Sequence, residues 1–194
     1  MAIARAAEAA TGRVLDRAAR GMAYGGGAAL LGIALVTVAS VTGRALSGLG
    51  LGPVTGDYEL VEAGCAIAVF SFLPLCQLRR GHVTVDVLIQ RFPPRARAAF
   101  GLLGDTLITL TAGVILWRLW LGFGERFPYG GDALRAALSM GDRPFFAETT
   151  YDLQLPVWIP YALSLGGAAA FLVVSLYTMW RGLNWTLDGE EGRP

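Results

Sequence analysis

The chain has 194 residues, 54% of them hydrophobic and 16% charged, with a formal net charge of +1. A soluble domain carries about 25% charged residues, so a water-facing surface of ordinary composition is excluded. The apolar residues are gathered into four blocks near 20 residues long, each about the length that crosses a 30 Å hydrocarbon core as a helix. All 16 basic residues are Arg.

Residues 1–22 carry Arg5, Arg13, Arg17 and Arg20 together with Glu8 and Asp16. Ile3, Ala7, Ala10, Val14 and Ala18 recur at three- and four-residue steps, which predicts a weakly amphipathic helix lying on the inner membrane surface. The run that follows is long and lacks a small-x-small cleavage site, so it is expected to remain as the first membrane helix.

The predicted spans are 24–41, 60–78, 98–121 and 157–180. Lipid offers no hydrogen bonds to a backbone, so each must be helical. The fold class is therefore all-α, a single four-helix membrane domain. Pro74 removes one backbone bond near the end of the second span and should kink it. Residues 82–92 (HVTVDVLIQRF) are rich in apolar side chains and end at Pro93 and Pro94, which predicts a second helix in the membrane plane. Residues 122–156 form the long third connection, and 181–194 a polar tail.

The arginines fix an orientation. The N-terminal segment holds four, and the connection between the second and third spans holds Arg79, Arg80, Arg91, Arg95 and Arg97. The first connection has only Arg44, and the third balances Arg126, Arg135 and Arg143 against five acids. The positive-inside rule then places both termini and residues 79–97 in the cytoplasm. Trp117, Trp120, Trp158, Tyr161, Tyr177, Trp180 and Trp185 lie near span ends, where aromatic belts belong.

Glu62, Asp105 and Arg118 fall within or near the spans, where an ionisable group costs at least about 2.5 to 3.5 kcal/mol. An ion pathway is one reading and pairing between helices the other. Depth favours pairing, because Glu59 and Glu62 sit level with Arg118, and Asp105 level with Arg79. The expected pairs are Glu62–Arg118 and Asp105–Arg79. His82 is the only histidine, so a bis-imidazole haem site cannot be built. Cys65 and Cys76 are separated by about 16 Å along a helix, beyond disulfide reach. No phosphate-binding loop, nucleophile elbow or metal motif occurs. No enzyme activity, cofactor, metal or nucleic-acid partner is expected, and the machinery of a complete transporter is not evident.

Against that background the sequence resembles the small (Q-type, DctQ-like) membrane subunit of tripartite ATP-independent periplasmic, or TRAP, transporters. Gly43-Arg44 follows the first span, and Gly56-Asp57-Tyr58-Glu59-Leu60 opens the second. Arg79-Arg80-Gly81-His82-Val83-Thr84-Val85-Asp86 is the most specific match to the family's pattern. Leu155-Pro156-Val157-Trp158-Ile159-Pro160-Tyr161 resembles the opening of its last helix. The third connection is longer than the pattern.

The resemblance implies a large multi-helix permease subunit as partner, holding the substrate and sodium sites. A periplasmic binding protein would deliver an organic acid, and the small subunit would act as a scaffold in the bacterial inner membrane. Arg44, Glu59, Glu62, Arg79, Arg80, Gly81, His82, Asp86, Asp105, Arg118 and Trp158 are then candidates for internal packing or partner contact. The outward, aromatic third connection is expected either to face the binding protein or to pack only on its own subunit or the large one. Rival readings are the small subunit of a tripartite tricarboxylate transporter and a non-transport membrane assembly factor.

Overall fold

The computed structural model describes residues 5–81 and 92–188. Four helices in it are long and apolar enough to cross a membrane: α1 (Arg5–Ala45), α2 (Asp57–Leu78), α3 (Pro94–Arg126) and, last in the chain, α5 (Trp158–Asp188). A one-and-a-half-turn helix, α4 (Asp132–Ala137), stands in the third connection. Among the described residues the only β pairing is one isolated bridge between Thr149 and Pro156. The predicted membrane-plane helix at 82–92 lies almost wholly outside the described residues, as do His82 and Asp86.

Helix ends run past the predicted spans because the apolar window marks the hydrocarbon and not the helix. α3 continues to Arg126, and α5 extends beyond Trp180 to Asp188. The N-terminal segment and the first span form one helix of 41 residues, about 60 Å long and roughly twice the thickness of a hydrocarbon core. α2 passes through Pro74 without interruption. Pro94 opens α3 at a position whose N–H would be unpaired anyway.

The packing order differs from the chain order. α1 lies on α2, α2 on α5 and α5 on α3, while α2 and α3 share no substantial interface. α5 is thus an inner member of a row, and its buried residues show why. Ser164, Gly167, Ala168, Phe171, Ser175, Thr178 and Gly182 recur at three- and four-residue steps and are mostly small. Small residues let helix backbones approach where lipid provides no hydrophobic drive for association. A Cβ on Gly167 would come within 2.6 Å of the Phe70 carbonyl oxygen, and one on Gly26 within 2.9 Å of the Ser71 Cβ. Leu31, Leu35, Leu103, Leu107 and Leu110 point outward from the edge helices α1 and α3, as residues facing lipid or a second subunit do.

Candidate functional site

Two clusters of polar side chains tie the row together, one at each end. At the end carrying Arg79 and Arg80, α2 stops at Leu78 and Arg80 takes a left-handed conformation (φ 50°). The Gly81 N–H then reaches back to the Cys76 carbonyl at 2.8 Å, which satisfies one of the helix's last acceptors. This turn sends two neighbouring arginines to different helices. Arg79 pairs with Asp16 of α1 at 2.7 Å, and Asp16 also pairs with Arg20 at 2.7 Å. Arg80 pairs with Asp105 of α3 at 2.7 Å and lies over the Trp185 ring of α5 at 4.7 Å.

The predicted Asp105–Arg79 pair is therefore corrected to Asp105–Arg80. One residue of left-handed backbone decides which arginine faces α3. Asp105 is only 5% exposed, and its other oxygen accepts from the Gln77 amide at 3.3 Å. The same amide donates to the Thr178 hydroxyl of α5 at 2.8 Å. Arg181 donates to the Leu78 carbonyl at 3.2 Å and lies over Trp185 at 4.9 Å. The start of α1 joins the far end of α5 through Asn184, which donates to Glu8 at 2.6 Å, and through an Arg5–Asp188 ion pair.

The opposite end combines a few side-chain pairs with side chains that hold loop backbone. Arg44 pairs with Asp57 at 2.5 Å and lies over the Tyr58 ring at 5.6 Å, closing the short connection between α1 and α2. Ser40 donates to Asp57 at 2.5 Å and accepts from the Val54 N–H at 3.2 Å. The Glu59 carboxylate accepts the N–H groups of Asp152 and Leu153 at 2.7 and 3.0 Å. Trp158 packs edge-on against Phe127 and Tyr129, at 5.4 and 6.2 Å between ring centres.

Glu62 and Arg118 do not pair. Glu62 is exposed and has neither an ion pair nor a hydrogen bond among the described residues, while Arg118 is exposed with its guanidinium 5.9 Å from the Trp117 ring. Equal depth was the basis of the predicted pair, but α5 stands between their helices.

One central residue escaped the sequence reading. Arg135, on α4, is 2% exposed. Its guanidinium donates to six backbone carbonyls, those of Gly124, Phe127, Tyr129, Met140, Gly141 and Asp142, at 2.6 to 3.3 Å. The last carbonyls of a helix lack partners within the helix and carry partial negative charge. Arg135 caps the end of α3 in this way and gathers the third connection around it. Backbone acceptors leave no mark in a sequence. Nothing in the sequence set it apart from Arg126 and Arg143 in the same connection.

Among the described residues no group of three His, Cys, Asp or Glu side chains could hold a metal ion. Residues 33–184 match the family described as "Tripartite ATP-independent periplasmic transporters, DctQ component". The chain belongs to that family. This DctQ-family chain is a small component of a tripartite transporter and a multi-pass membrane protein. The match decides against the tricarboxylate-transporter and assembly-factor readings. It takes in Arg44, the Arg79-Arg80-Gly81 turn, Asp105, Arg135 and Trp158, and it omits the first part of α1 with Glu8 and Asp16. Neither a search of curated proteins nor one of solved structures gives a match for this chain.

Proposed function

We propose that the chain is the fixed frame of a sodium-coupled transporter in the bacterial inner membrane. It would support a large permease subunit that imports an organic acid delivered by a periplasmic binding protein. The observation that carries this reading is how the polar groups are used. Ion pairs and hydrogen bonds at both ends of the row tie this chain's own helices and loops together. Its long outward faces are left apolar. A part that cross-braces itself and presents apolar flanks suits an anchor against which a larger body moves. With the Arg79–Arg80 end taken as cytoplasmic, the third connection stands on the outer side. Both termini then lie inside.

The test is a pull-down of the tagged full chain from detergent-solubilised membranes. Co-purification of a large polytopic permease is expected. A chain that comes down alone, or with redox or lipid enzymes, removes the scaffold role.

A second role for the third connection is favoured by its exposed aromatics. Phe145 and Phe146 form an edge-on pair, with Phe145 92% exposed, and Tyr151 is 90% exposed nearby in sequence. Such rings suit contact with the binding protein. Deleting residues 130–143 would remove Arg135 and loosen the whole connection, so point changes are the cleaner probe. A Phe145→Ser, Phe146→Ser variant should lower uptake while the complex still assembles. Wild-type uptake would sink the role.

A further inference from the structure

Because α5 separates α2 from α3, a cavity of about 560 Å³ opens between these two helices at the end held by Arg135. This volume lies within the range of small-ligand sites. Its lining changes character along the helix axis. Glu59 and Glu62 stand in the first turns of α2, with Glu148 across the mouth and Arg126 at the end of α3. Ala66, Phe70 and Leu119 line it one to three turns deeper and give it an apolar wall.

Arg126 is anchored over the Tyr161 ring at 4.6 Å and by Glu148 at 3.2 Å. Glu59 is already occupied by backbone N–H groups. Glu62 has no partner among the described residues. Ser164, 3% exposed, also lines the cavity.

A carboxylate without a partner at the edge of the hydrocarbon, above a wall of Ala66, Phe70 and Leu119, calls for a ligand that is polar at one end and apolar along the other. A phospholipid has that order. Three carboxylates against one guanidinium disfavour a headgroup that is anionic overall. A headgroup with both an ammonium and a phosphate matches both signs. We propose that this groove binds one aminophospholipid, its ammonium at Glu62, its phosphate at Arg126 and an acyl chain along Ala66 and Phe70. The proposal needs only that α2 and α3 span a bilayer, and it does not depend on the scaffold role.

The test uses the purified full chain in nanodiscs of equal parts phosphatidylethanolamine, phosphatidylcholine and phosphatidylglycerol. Native mass spectrometry then reads the lipid retained on release. Phosphatidylethanolamine should be kept most, because its ammonium offers N–H donors that choline lacks. Phosphatidylglycerol should be kept least. Glu62→Gln, at an exposed position, should lower retention of phosphatidylethanolamine about fivefold, the factor of one charge contact at a membrane surface. It should also erase the preference over phosphatidylcholine. Ala66→Trp should expel the acyl chain with the charges in place. Equal retention of phosphatidylglycerol, or a Glu62→Gln variant that keeps the wild-type order, overturns the proposal. So does cross-linking of an Ala66→Cys variant to a permease helix in native membranes, since the groove would then be a protein contact. The lipid-retention results do not bear on whether the permease co-purifies, so failure of this proposal and failure of the scaffold role remain distinguishable.

Discussion

The two ends of the helix row are fastened by different chemistry. At the Arg79–Arg80 end, side chains meet side chains across helices, as in Arg80–Asp105, Arg79–Asp16, Gln77–Thr178 and Asn184–Glu8. At the opposite end, beside the Arg44–Asp57 and Arg126–Glu148 pairs, the connections are held by side chains that meet backbone. Arg135 gathers carbonyls and Glu59 gathers N–H groups, while the Trp120 indole donates to the Leu138 carbonyl at 2.9 Å. The difference follows from what each end must hold. The first joins regular helices whose backbones are largely satisfied, so side chains bond chiefly to one another, with the Arg181 bond to the Leu78 carbonyl at the helix end the exception. The second must satisfy irregular backbone close to lipid, where an unpaired N–H or C=O is costly.

Substitutions that separate helix-to-helix fastening from backbone fastening test this contrast. The largest effect is expected at Asp105. Asp105→Leu leaves Arg80 facing only the Trp185 ring and takes one partner from the Gln77 amide. Breaking one side of a buried pair costs about 3 to 5 kcal/mol, and the loss should be global, because α2, α3 and α5 all meet there. Thermal unfolding of the detergent-purified chain reads it. A wild-type unfolding temperature would mean the pair does not hold this end.

Next comes Arg135→Met, which keeps the apolar stem and removes every donor. Charged hydrogen bonds contribute about 1.5 to 3 kcal/mol each without adding up, so a local loss of about 3 kcal/mol is expected. Hydrogen exchange should rise across residues 127–142 while α1 and α2 keep their protection. Uniform loss of protection would show that this end, too, fastens helices to one another.

The four spans were legible because lipid demands long apolar runs, and no other arrangement of 54% hydrophobic residues explains such blocks. The packing order was not legible. Helix depth can be counted along each span, and it correctly brought Asp105 level with the α2 terminus. It says nothing about which helix stands beside which, and this is where the Glu62–Arg118 pair failed. The small-residue stripe on α5 was the clue to a helix inside the row, since edge helices do not need close contact on both sides. Arg80 took the place predicted for Arg79 through a conformational detail, a single left-handed residue, that no periodicity encodes. Arg135 was hidden for a different reason: its partners are carbonyls, which every residue possesses.

The smallest effect is expected at Arg79, the sequence neighbour of Arg80. Both arginines make a 2.7 Å ion pair, so distance alone would rank them equal. Their surroundings rank them differently. The Arg79 side chain is half exposed, and exposed pairs contribute little. Asp16 also keeps Arg20 when Arg79 is removed, so Arg79→Met strands no charge. The unfolding temperature of Arg79→Met should stay close to wild type, and added salt should shrink what difference there is. An Arg79→Met, Asp16→Asn double variant should match Asp16→Asn alone. Damage as large as that of Asp105→Leu would mean that the two arginines act as one unit. In that case the end that fastens helices would be a single network reaching from α1 to α3, and the start of α1, outside the family match, would be part of the frame's strength.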